Sequence, residues 1–174
     1  MDLLRCSLIE QYRAGLVMLA QCVERCPDDL WAAGRHPRTF WRIAYHAAFY
    51  THLYLGQDEA AFVPWPGLRP GADALWGSDV EPFRLPEEIP PYAPAEVLDY
   101  IAFVDALIEP TVAALDLTVT GTGFPWYPPE MTKLSHELMT LRHLQGHVGQ
   151  LSELLMACGI DIDWVGGAPA ATPP

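Results

Sequence analysis

Two of the six histidines, His143 and His147, stand four residues apart in a stretch of helical periodicity. On an α-helix that spacing puts both rings on one face, a turn apart, where neutral imidazoles can chelate one divalent ion. With His143 as reference and about 100° per residue, His147 falls about 40° away and Gln150 about 20° to the other side. The stripe of Leu134, Leu138, Leu141, Val148, Leu151 and Leu155 centres near about 130°, so the pair lies on the flank between core and solvent. Spacing alone also fits two unrelated flank residues, so a third ligand is needed. His46 is the best-placed candidate, midway along the most apolar helical stretch, although a lone histidine there is ordinarily a hydrogen-bonded core residue. His52 faces another side of the same stretch, His36 precedes Pro37 in a loop, and His136 lies two turns, about 10 Å, from His143.

Three neutral imidazoles would leave an ion its whole double charge and at least one open position. Such an ion lowers the pKa of bound water to about 7 or holds a thiol as thiolate, providing a nucleophile at neutral pH. Zinc and nickel both suit imidazole, and spacing does not choose between them. The sequence holds no Ser-His-Asp pattern, no Gly-x-Gly-x-x-Gly and no phosphate-binding loop. Around the candidate ligands, Tyr50 reads as core, and Arg42 and Gln150 as solvated, unless they orient a ligand or touch substrate. Trp65, Trp76, Trp126 and Tyr127 either roof an apolar pocket or pack singly. Glu137 falls on the apolar side of its helix, either buried or exposed in the first turn.

Four helical stretches must position these residues. The first runs from about Asp2 to Arg25 and is closed by Pro27; the second runs from about Arg38 to Leu55, with Thr39 as N-cap and Gly56 as stop. The second has almost no polar face and belongs in the middle of a bundle. The third runs from Pro94 to about Leu117, with Pro110 expected to kink or split it, and the fourth from about Met131 to Cys158. No segment alternates with period two, so the fold class is all-α, a four-helix bundle in a single domain over 1–165, with a flexible tail over 166–174. The crossover from Gln57 to Ala93 spans 37 residues with seven prolines, and its aromatics, Phe62, Trp65, Trp76, Phe83 and Tyr92, favour packing on the bundle. A crossover of that length lets the second and third helices run parallel.

The segments Phe40-Trp41-Arg42-Ile43-Ala44-Tyr45-His46 and Arg142-His143-Leu144-Gln145-Gly146-His147-Val148-Gly149-Gln150-Leu151 resemble the DinB/YfiT-like metalloenzyme superfamily, the damage-inducible four-helix bundle family. Its pattern is one histidine on the second helix and His-x3-His on the fourth, often followed by x-Gly-Gln-Leu. The resemblance implies that His46, His143 and His147 ligate one metal, in an up-down-down-up bundle that is often a homodimer. It also implies a low-molecular-weight-thiol-dependent S-transferase or isomerase, using bacillithiol, mycothiol or glutathione. Members often carry a histidine directly before the last ligand; here that residue is Gly146, which leaves the ligands intact and removes any role of that neighbour.

Composition sets the outer limits. Hydrophobic residues make up 51% and charged ones 18%, which excludes a disordered chain. A net charge of −12 repels phosphate, so the expected partner is a small-molecule substrate, with no nucleic acid and no membrane. The longest uncharged run, Ile43 to Gln57, is 15 residues, too short for a bilayer. The N-terminus lacks the basic-then-apolar pattern of a signal peptide, so a cytoplasmic location is expected. Cys6, Cys22, Cys26 and Cys158 read as buried thiols without disulfides. Two function classes follow: a metal-dependent enzyme, transferase or hydrolase, and a non-catalytic bundle that binds a metal or small molecule. A fourth protein ligand closing the tetrahedron would favour the second.

Overall fold

The computed structural model describes residues 2–77 and 84–167. Two of its helices, the first and the last, start where a short polar side chain satisfies a free amide. Helix α1 spans Leu3–Glu24, and the Asp2 carboxylate accepts the Arg5 amide at 2.9 Å. A four-residue helix, α2, covers Asp28–Trp31, too short to show a helical repeat in sequence. Helix α3 spans Phe40–Leu55; Thr39 holds its N-cap position, but the hydroxyl makes no capping bond. Helix α4 spans Pro94–Ala114, and Glu96 accepts the Ala93 amide at 2.7 Å. Pro110 does not split α4, because a proline so near the C-terminal end removes a bond only in the closing turns. Helix α5 spans Lys133–Met156, opened by the Thr132 hydroxyl accepting the Ser135 amide at 3.1 Å. Gly159, at φ +76°, turns the chain away beyond it. The described residues form no strand, so the chain is all-α.

Pairings give the helix directions. Arg5 reaches the Leu115 carbonyl while Arg13 meets Asp105 and Glu109, so α1 and α4 are antiparallel. Tyr12 meets Glu137 and Gly15 packs on Leu144, so α1 and α5 are parallel. His46 meets His143 while Tyr54 meets His136, so α3 and α5 are antiparallel. Tyr45 stacks on Tyr100 and His52 meets Phe103 edge-on, so α3 and α4 run the same way. The order is up-down-down-up, with the long crossover joining the parallel pair. Helix α3 is buried on nearly every side, as its sequence demands.

The described part of the crossover packs on the bundle. Tyr92 is buried with its ring 4.6 Å from Tyr45, Trp65 stacks on Tyr100 at 4.8 Å, and the Trp31 indole donates to the Tyr92 carbonyl at 2.7 Å. Phe83, expected among these aromatics, lies outside the described residues. Arg42 is not solvated: it is 1% exposed and donates to the carbonyls of Gly71 at 2.6 Å, Ala74 at 3.4 Å and Glu87 at 3.4 Å. A crossover without ladder partners must find donors for its carbonyls, and this guanidinium supplies them.

Beyond α5 the chain lies along α1, where Gln11 donates to the Gly166 carbonyl at 3.0 Å and Gln21 accepts the Asp163 amide at 2.7 Å. Of the expected tail, 168–174 lie outside the described residues. The expectation of buried thiols holds only for Cys22; Cys26 is half-buried, and Cys6 and Cys158 are exposed on the outer face of α1 and past the end of α5. No described helix is long and apolar enough to cross a membrane.

Candidate metal centre

His46 comes from the middle of α3, and His143 and His147 come from successive turns of α5. Because the two helices are antiparallel neighbours, one ring descends between the other two. Nε2 of His143 lies 3.1 Å from Nε2 of His46 and 3.1 Å from Nε2 of His147. One ligand atom from each ring falls within 4.8 Å of the others, and no other His, Cys, Asp or Glu joins this group among the described residues. Tetrahedral ligands at zinc distances of about 2.0–2.1 Å stand roughly 3.4 Å from each other, close to this spacing.

Hydrogen bonds behind the rings decide where their protons sit. The Asp73 carbonyl is 2.5 Å from Nδ1 of His46 and can only accept, so Nδ1 carries the proton and Nε2 presents a lone pair. Gln150 Oε1, 2.9 Å from Nδ1 of His147, does the same for that ring. Nδ1 of His143 is buried without a partner. Burial pushes the His46 pKa down to about 3 and that of His143 to about 4, and it lowers His147 as well, so all three are neutral at pH 7. Three neutral rings with converging Nε2 atoms, two of them with tied outer nitrogens, are a donor set that suits a divalent ion, so the residues present fit one.

Arg42 builds this arrangement from one turn away. Its bonds to the Gly71 and Ala74 carbonyls bracket Asp73 and hold that carbonyl against His46. Asp73 escaped sequence reasoning because it acts through its main chain, which leaves no residue-type signal. Beside the rings opens a cavity of about 400 Å³ lined by His46, Tyr50 and Tyr54 of α3, Met139, Arg142 and His143 of α5, and Trp76 and Tyr127 from loops. Tyr50 and Tyr54 follow His46 at steps of four, and Met139 precedes His143 by four, a spacing that could have found them. Tyr50 is part of this wall, and not core: its ring is 4.5 Å from His46, and its hydroxyl donates to Asp73 Oδ2 at 3.4 Å. Burial raises its pKa, which keeps the phenol protonated.

Of the four aromatics expected as a roof, Trp76 and Tyr127 line the cavity. Trp65 packs elsewhere, on Tyr100, and Trp126 is largely exposed, with its indole donating to the Tyr54 hydroxyl at 3.3 Å. The remaining histidines lie apart from the cluster. His36 has Nε2 2.7 Å from the Pro86 carbonyl, His52 has Nδ1 3.0 Å from the Tyr100 hydroxyl, and His136 is buried beside Lys133.

The family model of the DinB superfamily matches residues 11–151, which include α3 and α4 whole and most of α1 and α5. No curated relative and no solved structure matches the chain. The chain belongs to the DinB superfamily.

Proposed function

We propose that this DinB superfamily member binds one divalent ion, zinc or nickel, through His46, His143 and His147, and is a metal-dependent enzyme acting on a small organic molecule. The observation that carries the reading is the convergence of three Nε2 atoms beside an aromatic-walled cavity, with no fourth protein ligand in the group among the described residues. When bound, the ion supplies Lewis acidity that activates a thiol or a water at its free position. A thiol is the preferred nucleophile, in an S-transferase-like reaction with a low-molecular-weight thiol as co-substrate; the family resemblance is its support.

The chain's own residues have separate tasks. Asp73 and Gln150 hold the outer protons of His46 and His147, which keeps both Nε2 atoms free. Trp76 and Tyr127 shield the cavity from bulk water. Tyr50, protonated and 4.5 Å ring-to-ring from His46, is placed to donate a hydrogen bond into the cavity once it releases Asp73.

Metal analysis of protein purified without an affinity tag tests the first half of the reading, with one equivalent of zinc or nickel expected. Cobalt-substituted protein tests the second: bacillithiol, mycothiol or glutathione should produce a sulfur-to-metal charge-transfer band that His147→Ala abolishes while circular dichroism stays unchanged. Silence with all three thiols would move a hydrolytic or purely binding role ahead. Sedimentation of the same sample tests the homodimer that the resemblance implies.

A further inference from the structure

The cavity beside the histidines has a charge character that its aromatic walls conceal. The chain carries a net charge of −12, yet none of the lining residues is an Asp or Glu. The one charged lining residue is Arg142, which is exposed and makes no ion pair or hydrogen bond among the described residues. The Asp73 carboxylate is absent from the lining but stands behind it, its Oδ2 accepting from the Tyr50 hydroxyl of the wall, and offsets part of that charge. Three neutral ligands would leave a bound divalent ion's charge uncancelled, which adds to that of Arg142. An aromatic box can also hold an organic cation, but this sum of charges opposes one.

We propose that the substrate class is a small organic carboxylate with an aromatic or otherwise apolar body, and that Arg142 binds its carboxylate. The body packs among Tyr50, Trp76, Tyr127 and Met139. The guanidinium fork matches a carboxylate through two parallel N–H···O bonds, which leaves the ion's free position for the nucleophile. A volume of about 400 Å³ suits one ring and a short chain. This specificity assignment rests on the metal reading above for its chemistry, but the anion site itself can be tested without metal.

Benzoate, phenylacetate and 3-phenylpropanoate, each paired with its amide, and benzylamine would be titrated by calorimetry into metal-free and zinc-loaded protein. At least one acid should bind about ten-fold or more tightly than its amide, in both forms. Arg142→Gln should abolish that preference with zinc content and circular dichroism unchanged, and Arg142→Lys should keep part of it. Equal affinities of acid and amide throughout, or tighter binding of benzylamine, overturn the proposal. So does a preference that survives in Arg142→Gln. If the native protein takes up no zinc, the metal reading fails on its own while the metal-free titration still decides the role of Arg142.

Discussion

Helices α3 and α5 enclose two polar clusters built on the same helical spacing, and the two are opposite in kind. Near the start of α5, Lys133, His136 and Glu137 are fully buried with Tyr12 of α1. The Lys133 ammonium donates to the carbonyls of Tyr54, at 3.2 Å, and Gly56, and it pairs with Glu137 Oε1 at 2.9 Å. Glu137 Oε2 accepts the Tyr12 hydroxyl at 2.6 Å. Here a cation caps the last carbonyls of α3 and a carboxylate neutralises it, so the charges close on themselves. Farther along α5, the Nε2 atoms of three neutral histidines face one another beside a cavity, with no charged group among them. Opposite charges paired in the core make a structural joint. Acceptors gathered without a cation make a place for one.

The contrast is broken most violently at the closed cluster. Lys133→Met leaves Glu137 buried without its cation and should cost about 3–5 kcal/mol in urea denaturation, whereas Lys133→Met with Glu137→Leu should regain most of it. A single change costing under about 1 kcal/mol would show that the cluster is not a closed ion pair.

At the open cluster the sensitivity is reversed. His143→Ala should reduce metal content from one equivalent to near zero, while metal-free stability changes by about 1 kcal/mol or less. Unchanged metal content would end the ligand assignment. A subtler probe is Gln150→Leu, which frees the outer nitrogen of His147 on an exposed face. It should weaken zinc binding about 10-fold, with the denaturation midpoint unmoved.

The smallest effect is a gradual one with pH. Burial lowers His52 to about 4 and His136 to about 4, both below the ordinary value of 6.5. Below that ordinary value the unfolded chain binds more protons than the folded one, so stability should fall as pH drops toward 4. Replacing His136 with Phe should flatten that slope in denaturant titrations of metal-free protein; a slope as steep as that of the parent would show that His136 does not contribute.

Much of the bundle was legible because its signals are local. The apolar steps of α1, α3, α4 and α5 give each helix a face, and Pro27, Gly56 and Gly159 mark their ends. Helix α2 was missed because four residues carry no period, and of the two outcomes expected of Pro110 the split does not occur, since the proline stands close to the helix end. At the candidate site the residue types were legible and the partners were not. Arg42 read as solvated because a cation on an apolar helix normally reaches water, whereas here the crossover covers it and offers carbonyls instead.

By itself the sequence determined which residues can carry chemistry and on which helical faces they stand, since side-chain type and a 3.6-residue repeat are properties of short stretches. The His-x3-His pair on one flank of α5 is of that kind, as is the apolar surround of α3. Only the tertiary structure decided that His46 meets that pair, that the Asp73 carbonyl stands behind it, and that Lys133 and Glu137 find each other and not water. Those outcomes depend on how antiparallel helices are set against one another and on where a long crossover settles. Packing of the whole core and the pairing of buried polar groups decide both, and no local pattern encodes either.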